Sequence, residues 1–77
     1  MTDNTLDRHQ QAILSLIRLT QRIFYSFDDL VLFSPKVAED AITDLVDIGY
    51  LQVNEVGGTV LYTLTVKGYK YLNEHEG

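Results

Sequence analysis

Three aspartates at helical spacing, Asp40, Asp44 and Asp47, are the side chains in this sequence best placed to act together. Carboxylates on one helix face can approach a divalent cation. Calcium, however, prefers about six or more oxygen ligands, and one helix does not readily supply them. We therefore predict no metal site at these residues and interpret them as part of an acidic helix surface.

The residue types that support catalysis are sparse. His9 and His75 lie near opposite ends of the chain, and cysteine is absent, so no nucleophile is placed beside an orienting base. Gly57 and Gly58 fit a tight turn, since no Lys-Ser or Lys-Thr follows them as in a phosphate-binding loop. We predict no catalytic residue, no cofactor and no enzymatic activity.

Length and composition indicate one small globular domain over residues 1–77, with 45% hydrophobic residues. No apolar run approaches the roughly 20 residues that a membrane span needs, and the acidic N-terminus MTDNTLD does not resemble a secretory leader. A cytoplasmic protein is expected. Eleven acidic and six basic residues give a net charge of −5, which removes the usual electrostatic signature of DNA binding.

The first helix is predicted over residues 7–21, because Asp7 and Gln10 fit a capping box. One apolar stripe at helical spacing comprises Ile13, Leu16, Ile17 and Thr20. Further apolar residues widen it: Ala12, Leu14 and Leu19. Two interpretations stay open: a helix packed on two sides within its own domain, or a helix that contacts a second copy.

The next segments are predicted to be short. Residues 23–27, IFYSF, favour a strand. Ser26 and Asp29 fit a second capping box and predict a short helix through residues 28–32.

A third helix is predicted from Ser34 as N-cap, with Pro35 at the first helical position, to about Ile48, where Gly49 ends it. Beyond it, apolar residues alternate in two strands around the Gly57-Gly58 turn. The residues predicted to face inward are Leu51, Val53, Val60, Tyr62 and Leu64.

Thr65 is predicted to cap a last helix that runs to about residue 72, so the ordered core spans about 7–72. Its apolar positions are Val66, Tyr69 and Leu72. Of the five tyrosines, Tyr50, Tyr62 and Tyr69 are predicted to be core residues; Tyr25 and Tyr71 are left unassigned.

Two stretches carry a resemblance to a known fold. SPKVAEDAITDLVDIGYL, residues 34–51, is similar to the third helix and exit of winged-helix regulators. YTLTVKGYKYL, residues 62–72, resembles the string that closes the wing in MarR-like and PadR-like proteins. The resemblance implies an α+β winged helix-turn-helix domain: helix, short strand, two helices, β-hairpin wing and C-terminal helix.

In that fold the third helix enters the major groove of DNA and reads bases with Arg, Lys, Asn or Gln. Here its outward face is predicted to carry Lys36, Glu39, Asp40, Thr43, Asp44 and Asp47. Asp44 and Asp47 also lie near the negative end of the helix dipole and at like-charge spacing, which costs a few tenths of a kcal/mol per pair. The wing, residues 54–59, contains no Lys or Arg.

Basic residues lie instead on the first and last helices, as Arg18, Arg22, Lys67 and Lys70. If these helices are neighbours, the four form a modest basic patch. Scattered solvated charge is the simpler interpretation. The alternatives are an unconventional nucleic-acid surface or a docking site for an acidic face.

Two functions follow as hypotheses. The first is an interaction module in a transcription or nucleic-acid assembly, whose acidic third helix docks a basic protein; a charge-mimicking inhibitor is a special case. The second is a homodimeric DNA-binding transcription regulator, although the chain does not include the long extra helices that the resembled families use to dimerise. Surplus carboxylates on the third helix favour the first hypothesis.

Overall fold

The computed structural model describes residues 6–75 and is a mixed α+β structure, as predicted. Three α-helices, a 3₁₀ turn and a two-stranded hairpin follow one another along the chain. Their bounds are α1 Arg8–Thr20, the 3₁₀ turn Asp28–Leu30, α2 Pro35–Ile48, β1 Leu51–Val56, β2 Thr59–Leu64 and α3 Val66–His75.

The helix ends form where the capping residues predict them. The Asp7 carboxylate accepts from the Gln10 amide N–H at 2.9 Å, and the Gln10 side chain accepts from the Asp7 N–H at 3.0 Å. The Ser34 hydroxyl accepts from the Val37 N–H at 3.2 Å and starts α2. Gly49 ends α2 with φ +101°, a left-handed angle that favours glycine.

Two short elements differ from the prediction. Residues 23–27 form no strand; they contribute only the Tyr25–Tyr62 bridge, whose N–H···O distances are 2.8 and 2.7 Å. The predicted helix over residues 28–32 is a 3₁₀ turn that ends at Leu30. Ser34 precedes a proline and is extended, with ψ 156°. Residues 31–33, between Leu30 and this extended residue, are too few for another helical turn.

The core forms where α1, α2, α3 and the start of the hairpin meet. Its largest fully buried side chains are Ile13, Leu14, Ile17, Tyr25, Leu30 and Leu45. Leu14 therefore belongs to the core, whereas Thr20, predicted on the buried stripe, is exposed. On α3 the prediction was wrong for Tyr69, which is 54% exposed, and Tyr71 is buried in its place.

The hairpin is antiparallel and pairs Leu51 with Leu64 and Val56 with Thr59. Leu51 and Leu64 are buried as predicted, but Val53 and Val60 are 48% and 45% exposed. The alternation identified the correct face. Only the base of the hairpin lies over the core, so the outer residues of that face remain in solvent.

Thr65 and its neighbours attach α3 to the end of α2. The Thr65 hydroxyl donates to the Gly49 carbonyl at 2.6 Å and accepts from the Gly68 N–H at 3.0 Å. The Thr65 N–H donates to the Tyr50 carbonyl at 3.1 Å. The string YTLTVKG therefore encodes a specific junction between the hairpin, α2 and α3.

Candidate nucleic-acid interface

The outward face of α2 is the surface that the sequence indicates for recognition. All six of its predicted residues are exposed: Lys36, Glu39, Asp40, Thr43, Asp44 and Asp47. Lys36 lies 3.7 Å from Asp40 in a pair whose side chains are 78% and 66% exposed. Such exposed pairs contribute little stability. One lysine also neutralises only one of the four carboxylates, so the face keeps an excess of negative charge.

Asp44 has a structural partner that the sequence did not indicate. Its carboxylate accepts a hydrogen bond from the side-chain amide of Gln10 at 3.2 Å. Gln10 is only 6% exposed and is the buried polar residue of the core. A buried amide needs its hydrogen bonds satisfied, so Asp44 has a role in joining α1 to α2 that requires no external partner.

The C-terminal end of α2 also carries a compensating charge. The Lys67 ammonium donates to the Ile48 carbonyl at 2.7 Å and lies 5.6 Å from the centre of the Tyr50 ring. A cation at this end stabilises the helix dipole. The unfavourable placement expected for Asp44 and Asp47 is thus partly offset by contacts within the domain.

Removing the Asp44 carboxylate tests its structural role. We expect Asp44→Ala to lower the free energy of unfolding by about 0.5–1.5 kcal/mol, because the buried Gln10 amide loses an acceptor. Asp44→Asn retains a carbonyl acceptor and should cost less. Urea unfolding of both variants measures the difference. Exposed Asp47, replaced by alanine, is the control, and an equal effect at all three substitutions would contradict the assigned hydrogen bond.

The turn before α2 adds aromatic surface that sequence reasoning missed. Leu32 and Phe33 are 39% and 50% exposed, and the Phe33 ring meets the His9 ring edge-on at 4.6 Å and 82°. Leu32 was assigned to the short second helix, and His9 and Phe33 were given no role. The position of Phe33 directly before the Ser34-Pro35 cap was the signal that could have identified it as a turn residue.

The hairpin turn offers no positive charge. Gly57 and Gly58 adopt φ values of +58° and +82°, as a tight hairpin turn demands. Residues 51–64 contain no Lys or Arg, and Glu55 and Val56 are exposed. This hairpin therefore has no cation for a phosphate, and its polar side chains can offer only neutral hydrogen bonds.

Arg18 lies on α1, and Lys67 and Lys70 lie on α3, two helices that do pack together. Arg22 follows the end of α1 and is not part of that helix. Arg22, however, pairs with Asp29 at 3.2 Å and lies 5.2 Å from the centre of the Tyr25 ring. Lys67 caps α2, as described above. Arg18 lines a groove between α1 and α3, and Lys70 is exposed on α3. A shared role for the four residues stays a prediction.

Asp29 is also held by the chain that precedes it. The Ser26 N–H donates to its carboxylate at 3.0 Å, and the Asp29 N–H donates to the Ser26 hydroxyl at 3.2 Å. The predicted capping pair is therefore confirmed. The hydrogen bond from the Ser26 N–H, followed by smaller effects of the Ser26 hydroxyl and of Arg22, lowers the pKa of Asp29.

Two further findings concern the part of the chain that the structure describes. Among these residues, no group of three or more His, Asp or Glu side chains is arranged to hold a metal ion. None of the described helices has the length and apolar character required to cross a bilayer.

Comparison with protein-family models and with curated protein sequences gave no match. A solved structure of BpsR from Bordetella bronchiseptica does match. It superimposes with a TM-score of 0.79 at 25% identity, over 90% of this chain and 52% of that chain. This chain is a winged helix-turn-helix domain. It spans about half the length of the BpsR chain and resembles MarR-like regulators.

The winged-helix assignment gives each element its place. The 3₁₀ turn and α2 form the helix-turn-helix pair, with the first member reduced to Asp28–Leu30, and β1 and β2 form the wing. In this fold the second member of the pair meets the major groove. The exposed face of α2 is therefore the candidate nucleic-acid interface, with the Phe33 turn at its edge.

Proposed function

We propose that this winged-helix domain is a DNA-binding transcription regulator. Its likeness to BpsR over 90% of the chain is the observation that carries the proposal. BpsR is described as a protein whose DNA binding is regulated by 6-hydroxynicotinic acid. The acidic residues of α2 first favoured a different function. These residues argue less strongly for that function, because Asp44 accepts a hydrogen bond from Gln10 and Lys67 donates one to the end of the same helix.

The charges of the domain define how such binding would differ from that of a basic regulator. Lys36 is the only cation on the outward face of α2, and the wing has none. Neutral donors at the start of α2 and the Thr43 hydroxyl would then make much of the contact. Each neutralised phosphate contributes about −0.9 to the slope of log K against log salt. We expect a shallow slope, of about −1 to −2.

Removing carboxylates from the face should strengthen DNA binding. The double variant Asp40→Asn, Asp47→Asn leaves the Asp44–Gln10 contact in place. Each removed repulsion is worth about 0.5–1 kcal/mol near phosphates in water, so we expect duplex affinity to rise about fivefold or more. Fluorescence anisotropy with duplex DNA at about 50 mM salt, where phosphate contacts are strong, measures it.

A matched control changes the net charge equally, away from α2. Glu74 is an exposed acid of α3, outside the helix-turn-helix pair and the wing, so Glu74→Lys should leave DNA affinity nearly unchanged. The proposal fails if neither the wild type nor the α2 variant binds duplex DNA at low salt. Equal gains in the α2 variant and in Glu74→Lys would mean that net charge, and not the α2 face, controls binding.

A second candidate function is favoured by one observation, the four exposed carboxylates against one lysine on α2. Under it, the domain docks a basic protein of a transcription or nucleic-acid assembly, or mimics the charge of DNA as an inhibitor. The same variant separates the candidates. Under the second function, the wild type does not bind DNA, and Asp40→Asn with Asp47→Asn weakens capture of a basic protein.

A further inference from the structure

The outer edge of β1 carries unpaired backbone groups. Tyr62 of β2 exchanges both of its backbone hydrogen bonds with Tyr25, at 2.8 and 2.7 Å. Tyr62 lies opposite Val53 in the hairpin, and residue pairs of an antiparallel ladder alternate between hydrogen-bonded and non-hydrogen-bonded. Val53, and by the same alternation Glu55, therefore direct their N–H and C=O groups away from β2. Both residues are exposed, and no residue that the structure describes makes a hydrogen bond to these four groups.

The sequence of β1 does not protect this edge from pairing with another strand. Natural edge strands are commonly blocked by proline, by lysine or by a β-bulge. The segment Leu51–Val56 contains no proline and no lysine, and it pairs with β2 in unbroken register, so there is no bulge. The opposite edge, on β2, is partly covered by the bridge to Tyr25. The edge of β1 is thus the place where an extended chain can add a third strand.

The side chains beside this edge indicate what the added strand would carry. Side chains alternate between the two faces of a strand, so Val53 and Glu55 share one face with Tyr62 and Val60. Val53 and Val60 are 48% and 45% exposed, and an apolar residue opposite Val53 would cover part of this surface. Glu55 is the only charged residue of the hairpin. Opposite charges on neighbouring strands attract and like charges repel, so Lys or Arg fits the position opposite Glu55, and the net charge of −5 favours the same sign.

We propose that the free edge of β1 binds an extended segment of a basic partner protein, with an apolar residue and a Lys or Arg opposite Val53 and Glu55. The segment pairs with the N–H and C=O groups of these two residues and extends the hairpin to three strands, a more stable arrangement than two. Backbone hydrogen bonds supply affinity, and the two facing side chains supply specificity. The pairing uses no residue of the α2 face, so it does not depend on DNA binding.

A proline at position 53 tests the backbone pairing. Proline removes the N–H that points away from β2 and leaves the hydrogen bonds between β1 and β2 in place. The probe is a fluorescein-labelled peptide with the repeat Lys-Thr-Val-Thr, which places Lys and Val on one face of a strand. We expect the wild type to bind this peptide and Val53→Pro to bind it about tenfold more weakly, as measured by fluorescence anisotropy. Val60→Pro is the matched control and should bind like the wild type, because Val60 is a similarly exposed valine whose N–H points to the other edge.

A side-chain variant provides a second test that leaves the backbone unchanged. Glu55→Lys places a like charge opposite the lysines of the peptide, so its affinity should fall about threefold or more. Circular dichroism shows whether each variant is folded.

A second labelled peptide separates strand pairing from simple charge attraction. The repeat Lys-Pro-Pro-Pro has the same charge but too few N–H groups to pair with an edge, so it should not bind. Equal binding of the two peptides would overturn the proposal, as would a wild type that does not bind the Lys-Thr-Val-Thr peptide or an equal loss in both proline variants. A dimer that forms without peptide and dissociates in Val53→Pro would mean that a second copy, and not a basic partner, occupies the edge.

Discussion

Gly68→Ala is expected to lower the free energy of unfolding by about 1–3 kcal/mol, the usual cost of forcing extra volume into a packed site. A Cβ atom at Gly68 would lie 2.6 Å from the Tyr50 carbonyl oxygen and 2.6 Å from Leu64 Cδ1. The Leu64 side chain can rotate away. The Tyr50 oxygen is backbone and accepts from Thr65, so relieving that contact must move α3.

Helix propensity works in the opposite direction and makes the test sharper. Alanine is favoured over glycine inside a helix by about 1 kcal/mol, so a net loss of stability can come only from the close approach. Asn73→Ala, at an exposed residue of the same helix, controls for propensity. Urea unfolding compares the two, and a Gly68→Ala protein as stable as the wild type would contradict the described packing of α3 on Tyr50.

The junction at Gly68 also connects the end of α2 with the groove between α1 and α3. Thr65, Lys67 and Gly68 contact the turn that ends α2, and the same helix presents Tyr69 to the groove beside α1. A displaced α3 would alter the groove and remove the lysine cap from α2.

The elements that sequence predicted best are those specified by local signals. Ser34-Pro35 and Gly49 determine both ends of α2 through capping and backbone angle, and neither depends on the rest of the fold. The length of the 3₁₀ turn was overestimated, because a capping pair predicts where a helix begins and not how far it continues. Its length is limited by the chain that must extend into Pro35.

Burial was harder to predict than periodicity. Alternation in the hairpin identified the face of Val53 and Val60 correctly, but what covers a face depends on elements distant in sequence. On α3, Tyr69 and Tyr71 lie about 200° apart around the helix axis, so only one of them can face the core. Tyr71 is the buried one, with its ring 5.0 Å from that of Tyr50. Asp44 shows the same limit at the candidate site, since its partner Gln10 lies 34 residues away.

Tyr25→Phe is expected to lower the free energy of unfolding by about 0.5–1.5 kcal/mol, because it removes the hydrogen bond that the Arg22 N–H donates to the hydroxyl. The Tyr25 side chain is 1% exposed, and its hydroxyl accepts from the Arg22 N–H at 2.8 Å. Phenylalanine fills the same space and preserves the ring beneath the Arg22 guanidinium. The loss therefore measures the hydroxyl alone.

The other partners of the Tyr25 hydroxyl have further hydrogen bonds. The Thr20 hydroxyl lies 2.6 Å from the Tyr25 hydroxyl, where either group can donate, and it also hydrogen-bonds to the Leu16 carbonyl at 2.8 Å. The Ile17 carbonyl, at 3.2 Å from the Tyr25 hydroxyl, also accepts from the Gln21 N–H, so it keeps a partner in the variant. The unsatisfied group in Tyr25→Phe is the Arg22 N–H, where the chain leaves α1 through the left-handed Gln21 at φ +55°.

Thermal unfolding of Tyr25→Phe measures this loss of stability, with exposed Tyr69→Phe as the control. Equal melting temperatures of the two variants would mean that water reaches the Arg22 N–H and that Tyr25 does not anchor the end of α1.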